Sequence, residues 1–295
     1  MQPRRLRTRL LLLGALLIAG LLLAAACDDD EEEPEEAAAT ATTAAAGETP
    51  AAAIDISGVS ELDDGTLTVG SDIAYAPLEF FEEGTETPAG LDVDLAQAIA
   101  DVLGVDVEFI NSGFDGLIPA LNTDEFDIVM SAMTITESRS QEVDFVAYLN
   151  VGTGIVVPAD NPNNIATLAD LCGLTVAVQV GTTQETLVVD QSDQCDEPID
   201  VVTFDTNPLA VEDLRTGGAD ANLSDFPVAF LDAQESDGAL QVIDTQIDPA
   251  PYGIAVRQSS TALTAVLEQA LQAIRDSGEY DQILATWDLE STALP

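Results

Sequence analysis

The chain has 295 residues, of which 54 are acidic, eight are basic and 46% are hydrophobic, and its formal net charge is -46. That apolar share suffices for one or two domains with sizeable cores, while the charge excludes a nucleic-acid partner, because phosphate contacts need Lys and Arg. The chain contains no His and no Lys, which removes Ser-His and Cys-His catalytic pairs, the usual zinc sites, Schiff-base chemistry and a P-loop lysine.

In chain order, Arg4, Arg5, Arg7 and Arg9 form a basic start, and an apolar run from Leu10 to Leu23 leads through Ala24, Ala25 and Ala26 to Cys27. This is the pattern of an export signal over residues 1–26, and the run is short for spanning a bilayer. No acid precedes Cys27, so the chain after it keeps four arginines (Arg139, Arg215, Arg257 and Arg275) against 54 acids, a formal charge of -50. Asp28 to Glu36 is nearly all acid and Ala/Thr repeats follow to about residue 53. Such a segment has too little apolar surface to fold and reads as a solvated tether over 27–61.

Folded patterning begins near Leu62. Leu67–Val69 reads as a strand, Asp92–Leu103 as an amphipathic helix ended by Gly104, and Val105–Ile110 as a second strand. Phe114–Leu121 reads as a short helix and Phe126–Met130 as a third strand. The alternation then restarts: Leu168–Leu171, strand Leu174–Val178, a helix from Gln184, strand Ile199–Phe204, helix Asn207–Arg215 and strand Ala219–Leu223. Ser260–Ser277 and Tyr280–Trp287 are amphipathic helices. Two successive α/β patterns predict two lobes with largely parallel sheets. Cys172 and Cys195 flank the strand and helix that open the second pattern. In an exported chain such a pair favours a disulfide. Its loop of about 23 residues is worth ~3 kcal/mol; two buried free thiols and a chance pair are the alternatives. Arg215 complements the dipole at a helix end, and Arg257 and Arg275 read as surface or helix-face residues; none of the three is given a ligand role.

The segment ending at Cys27 resembles a bacterial lipobox, with Ala24 in the place where that motif usually has Leu. The resemblance implies that Cys27 is lipidated and tethers the chain to the outer face of the cytoplasmic membrane, at the cell surface or in the periplasm.

From about Leu62 to Trp287 the chain resembles the polar amino-acid-binding family of bacterial solute-binding proteins, components of ABC importers. The segments that carry the likeness are GSDIAYAPLEF (70–80), GLDVDLAQAIADVLG (90–104), FDGLIPALNTDEFDIVMSAMTITESR (114–139), VDFVAYL (143–149), VAVQVGTTQET (176–186) and GGADANLSD (217–225), in family order and spacing. The resemblance implies a type II periplasmic-binding-protein fold, two Rossmann-like lobes joined by a two-strand hinge near Val151–Gly154 and Pro251–Ile254. Lobe 1 is then 62–151 plus 252–295, and lobe 2 is 152–251.

A buried zwitterion needs partners for both of its charges. By the resemblance, Arg139, which lies beyond a strand end, grips the ligand α-carboxylate together with Thr134 and Thr183. Asp225 pairs the ammonium, with Ser131 and Ala132 contributing hydroxyl or main-chain contacts. Ala132 replaces the serine of close relatives. Gly181-Thr182-Thr183-Gln184 lies at a helix start whose N–H groups suit an anion. Asp72, with Gln184 nearby, meets the distal polar end, and Tyr75 and Phe114 sandwich the aliphatic stem. One arginine for one carboxylate orders the ligands as arginine, lysine, ornithine or histidine first and glutamine second, with aspartate and glutamate poor. No residue is marked as catalytic, and no cofactor or metal is expected. The expected partners are the free amino acid and the permease subunits, with the chain a monomer. The other readings are an enzyme on the same fold, of which cyclohexadienyl dehydratases are an example, and a ligand sensor without transport.

Overall fold

The computed structural model describes residues 54–243 and 245–294. The expected export signal over 1–26, Cys27 and the low-complexity stretch to residue 53 lie outside the described residues. Within them, the packed chain starts earlier than the patterning near Leu62: Val59 is buried along with Leu62, and Ile54 and Ile56 pack against the same core.

The first half begins with β1 (Thr66–Ser71). A small antiparallel sheet follows, of β2 (Ala74–Tyr75), β3 (Glu79–Phe81) and β4 (Pro88–Ala89). Next is α1 (Leu91–Leu103), whose apolar residues Leu91, Leu95, Ile99 and Leu103 recur at helical spacing and are buried. Asp92 and Asp94 sit in its first turn, where the helix dipole favours acids, and Gly104 closes it in the left-handed conformation. Then come β5 (Asp106–Asn111), α2 (Leu117–Asn122), β6 (Ile128–Val129) and α3 (Glu137–Ser140).

The long strand β7 (Val143–Pro158) leads into the second half. This contains β8 (Thr175–Gln179), α4 (Thr183–Ser192), β9 (Asp200–Phe204), α5 (Asn207–Thr216), β10 (Ala221–Asp225), α6 (Phe226–Glu235) and β11 (Leu240–Val242). The chain returns through β12 (Ile247–Arg257) to the C-terminal helices α7 (Thr261–Ser277) and α8 (Glu279–Thr286), which pack on α1.

Among the described residues the main sheet runs in the order β5-β1-β6-β12-β7-β10-β8-β9, with β11 also on β7. β1 pairs in parallel with β5 and β6, and β8 with β9 and β10. β7 is shared between the halves: Val143–Thr153 pairs with β12, Thr153–Val156 with β10 and Val156–Pro158 with β11. Val151–Gly154 and Pro251–Ile254 therefore lie on neighbouring antiparallel strands, at the point where β7 passes from one half to the other. Gly154 is required there, since a Cβ would fall 2.7 Å from that of Ala229 on α6.

Successive strand residues face opposite layers, as a sheet covered on both sides demands. Ile128, Ile254 and Val256 join the core under α1 and α7, while Val129 and Ala255 join the one under α2. In the second half Ile155, Val157, Val176 and Val178 face one core, and Val156 and Ala177 the other. Cys172 and Cys195 form a disulfide, with a Cα–Cα distance of 5.5 Å, that ties the chain before β8 to the end of α4. Among the described residues no helix is long and apolar enough to cross a membrane.

Arg257 corrects the sequence expectation. It is largely buried and acts as a clamp, donating to the carbonyls of Leu121 and Phe126 and facing Glu61, Asp124 and Asp127. Arg215 is exposed, in the last turn of α5, and pairs with Glu212. The ring of Tyr280 lies under the Arg275 guanidinium, 5.0 Å away.

Candidate functional site

Both halves place the C-terminal ends of parallel strands at one cleft, the position where open α/β sheets gather ligand groups. β1 ends beside Asp72, β6 leads to the 131–134 turn, β8 ends at Gln179 and β10 at Asp225. The cavity between them is lined by Asp72, Tyr75, Phe114, Ala132, Thr134, Arg139, Thr183, Gln184 and Asp225, all expected from the sequence. Thr182, from the expected helix-start segment, also lines it; Glu79 and Gln179 complete the wall and were not expected. The remaining space is about 10 Å³, room for about one water molecule in this conformation.

Arg139 is presented by α3, whose N-cap Thr136 accepts the Arg139 N–H. Its Nη1 donates to the Thr134 carbonyl at 2.7 Å and its Nη2 reaches across the cleft to the Gly181 carbonyl at 3.0 Å. The guanidinium lies over the Phe114 ring, 5.3 Å from its centroid, a cation–π contact. Burial lowers its pKa, and the charge of Asp225 opposes that shift. Ion pairs within 4.0 Å form at Arg215 and Arg257; among the described residues none forms at Arg139. In a chain this acidic, an arginine held by neutral carbonyls and an aromatic face has its charge free for an anion.

Asp225 lies opposite. Its two carboxylate oxygens accept from the Tyr75 hydroxyl and from Gln184 Nε2, each at 2.9 Å. Burial pushes its pKa up to about 6, against hydrogen bonds that favour the anion. The Tyr75 hydroxyl also accepts the Asp225 N–H, bridging the halves, a contact that the expected stem-flanking role did not include. Asp72 accepts from Gln179 across the cleft, and burial raises it to about 6 as well. Gln184 is tied to Thr153 and Asp225 rather than to Asp72.

Two expectations change in detail. Ser131 lies behind the wall: its hydroxyl accepts the Asp72 N–H at 3.0 Å and donates to Glu79 at 2.8 Å. Ala132 lines the cavity, but its N–H is taken by Asp92 at 2.8 Å, and its φ of 47° is a left-handed backbone rarely adopted by alanine. At the start of α4 the Gly181 N–H is bound by the Glu185 carboxylate, and Thr182 caps the helix through the Glu185 N–H. The Gly181 N–H is therefore not available to an anion, which leaves the amides beyond it for the expected role. Gly181 itself has φ 77°, and a Cβ there would fall 2.8 Å from that of Asp115 in the other half. Glycine thus permits the close approach of the two walls.

A larger apolar groove of about 660 Å³, lined in part by Phe80, Phe230 and Trp287, lies outside the cleft. It offers Glu235 and Asp288 but no cation, so the convergent charges belong to the smaller cavity.

Comparison with known proteins follows the same geometry. Residues 67–290 match the family model of bacterial extracellular solute-binding proteins, family 3. The arginine-binding protein ArgT of Corynebacterium glutamicum is 33% identical over 235 residues, covering 78% of this chain and 76% of the relative. An ancestral arginine-binding protein solved with arginine superposes with a TM-score of 0.72 at 37% identity, covering 76% of this chain and 98% of that one. An ancestral amino acid-binding protein described as a precursor of cyclohexadienyl dehydratase gives a TM-score of 0.70 at 38% identity, covering 77% and 96%.

Proposed function

The chain belongs to the bacterial extracellular solute-binding proteins, family 3, and from that premise we propose that it binds a cationic amino acid, arginine foremost, between its lobes and delivers it to the permease of an ABC importer. The observation that carries this reading is Arg139, a cleft arginine without a carboxylate partner among the described residues. A ligand carboxylate supplies the missing anion, and a guanidinium can bind it bidentately. The opposite wall is acidic, with Asp225 for the α-ammonium and Asp72 for a distal cation. A second ligand carboxylate would meet only acids there. The names of the relatives point the same way, to arginine for ArgT and for the ancestral protein.

Thr134 and the first amides of α4 assist at the carboxylate, and Phe114 and Tyr75 line the stem. Lobe 1 is 62–151 with 252–295, lobe 2 is 152–251, and β7 and β12 form the hinge. Contacts divided between lobes make ligand favour the closed state, so small-angle scattering is expected to show a smaller radius with arginine. Export and lipidation at Cys27 would hold the protein where it meets a permease. Detergent partitioning of wild type and Cys27→Ser tests this, and equal partitioning of processed protein would remove the anchor.

A thermal-shift screen over all amino acids tests the ligand class, because a ligand of the folded state raises its stability. Arginine, lysine, ornithine or histidine are expected to shift the Tm most, with glutamine second. A larger shift with glutamate would reverse the proposed roles. A lyase on this fold is the second reading, favoured by one observation: Glu79, a buried carboxyl, lines the cavity. Mass spectrometry after incubation with chorismate-derived substrates separates the two readings; substrate is expected to return unchanged.

A further inference from the structure

Two carboxyls meet behind the ligand cavity that the proposed binding roles leave unused. Glu79 on β3 and Asp92 on α1 are 1% and 0% exposed. They hold consecutive residues of one turn. Glu79 Oε1 accepts the Ser131 hydroxyl, while Asp92 Oδ2 accepts the Ala132 N–H and the Tyr148 hydroxyl, the last at 2.7 Å. Their other oxygens, Glu79 Oε2 and Asp92 Oδ1, are buried and have no hydrogen-bond partner among the described residues. Neither carboxyl has an ion-pair partner there. Two further acids raise Glu79, Asp72 after β1 and Asp225 at the end of β10, and Tyr75 of β2 and Tyr148 of β7 feel the charge of Glu79 in turn.

Two carboxyls withdrawn from water on consecutive residues of one turn, with no ion-pair partner among the described residues (Arg139 lines the same cavity but pairs with neither), do not both ionise near neutral pH. Burial and mutual repulsion raise Glu79 well above the usual carboxylate range, and burial raises Asp92. Of the two, Glu79 reaches the cavity wall.

We propose that the Glu79–Asp92 pair holds one proton in the ligand-free cleft and that Glu79 gives it up when a cationic amino acid enters, so that binding releases a proton. The inference rests on the proposed ligand class. The O–H bond of the Glu79 carboxyl breaks, the proton passes to water or buffer, and the carboxylate left behind faces the positive charge of the ligand, which keeps its own protons. The cavity thereby gains a negative charge only when a cation is present to balance it. Glu79 becomes a third acid of the site, alongside Asp72 and Asp225.

Calorimetry with L-arginine at pH 7.5, in two buffers of different ionisation enthalpy, counts the protons. Asp72 and Asp225, which titrate near pH 6, are already ionised there. Wild type is expected to release up to about one proton per arginine and to gain up to about tenfold in affinity per pH unit. Glu79→Gln keeps the shape and an acceptor for Ser131, and is expected to bind arginine with release near zero. Asp92→Asn removes the repelling partner, lets Glu79 ionise earlier and reduces the release; it decides the matter where Glu79→Gln does not fold. Arginine heat without proton release in wild type, or undiminished release in the variants, would overturn the proton exchange while leaving the ligand reading intact. No arginine heat at all would overturn both.

Discussion

Replacing Arg139 by alanine removes the one cleft cation that has no acid partner among the described residues. Its guanidinium bonds to two carbonyls, at 2.7 and 3.0 Å, and lies over Phe114. These bonds have a charged donor and neutral acceptors and contribute about 1.5–3 kcal/mol each to the fold. The effect on affinity falls on the ligand, whose carboxylate would be buried opposite Asp225 without a counter-charge. Stranding a buried charge costs about 3–5 kcal/mol, a loss of roughly two to four powers of ten in affinity. Calorimetry with L-arginine and L-lysine reads the loss, which should be similar for both because the α-carboxylate is common to them. Arg139→Lys keeps the charge without the bidentate fork and should fall between wild type and alanine. Arg215→Ala is the control: it breaks only an exposed pair with Glu212 and should leave affinity unchanged. A folded Arg139→Ala protein with wild-type affinity would refute the reasoning.

Asp72→Asn should weaken arginine and lysine selectively while sparing glutamine, which has no distal charge, as parallel titrations would reveal. The folded pKa values of Asp72, Asp225 and Asp232, all about 6, lie above the ordinary carboxylate value. A raised carboxyl stabilises the fold fully below pH ~4, and that contribution is lost as the pH rises through about 6. Thermal melts of ligand-free protein should show this part of its stability falling between pH 4 and 8. Arginine, which needs Asp72 and Asp225 ionised, should raise the Tm more at pH 8 than at pH 5. Cys172→Ser with Cys195→Ser should lower stability by about 3 kcal/mol in denaturant titrations, and alkylation before and after reduction should show both thiols protected in the oxidised wild type.

Much of the scaffold was legible because it is encoded locally. The apolar spacing of 92–103 and the stop at Gly104 fix α1, and the alternation of strands and helices gives the two-part α/β design. Arg139 was legible because arginines are scarce and this one follows a strand end. Glu79 was not: it stands in the acid-rich 79–86 stretch with no spacing signal, and its burial depends on Ser131, 52 residues away. Arg257 reads as a surface or helix-face residue until folding brings Glu61, Asp124 and Asp127 to it. Similarly, Ser131 and Ala132 mark the right turn, but only the packing of β3 and α1 beneath it shows that the serine hydroxyl and the alanine N–H are already engaged.

Among the described residues the cleft presents one cation without an ion-pair partner, Arg139, facing the acids Asp72 and Asp225. Calorimetric titration of the wild-type protein at pH 7.5 with L-arginine and, separately, L-glutamate tests that arrangement most directly. The expected result is one arginine bound per chain, at least a hundredfold tighter than glutamate, consistent with about 3 kcal/mol for an unpaired second carboxylate. Glutamate binding as tightly as arginine would contradict it.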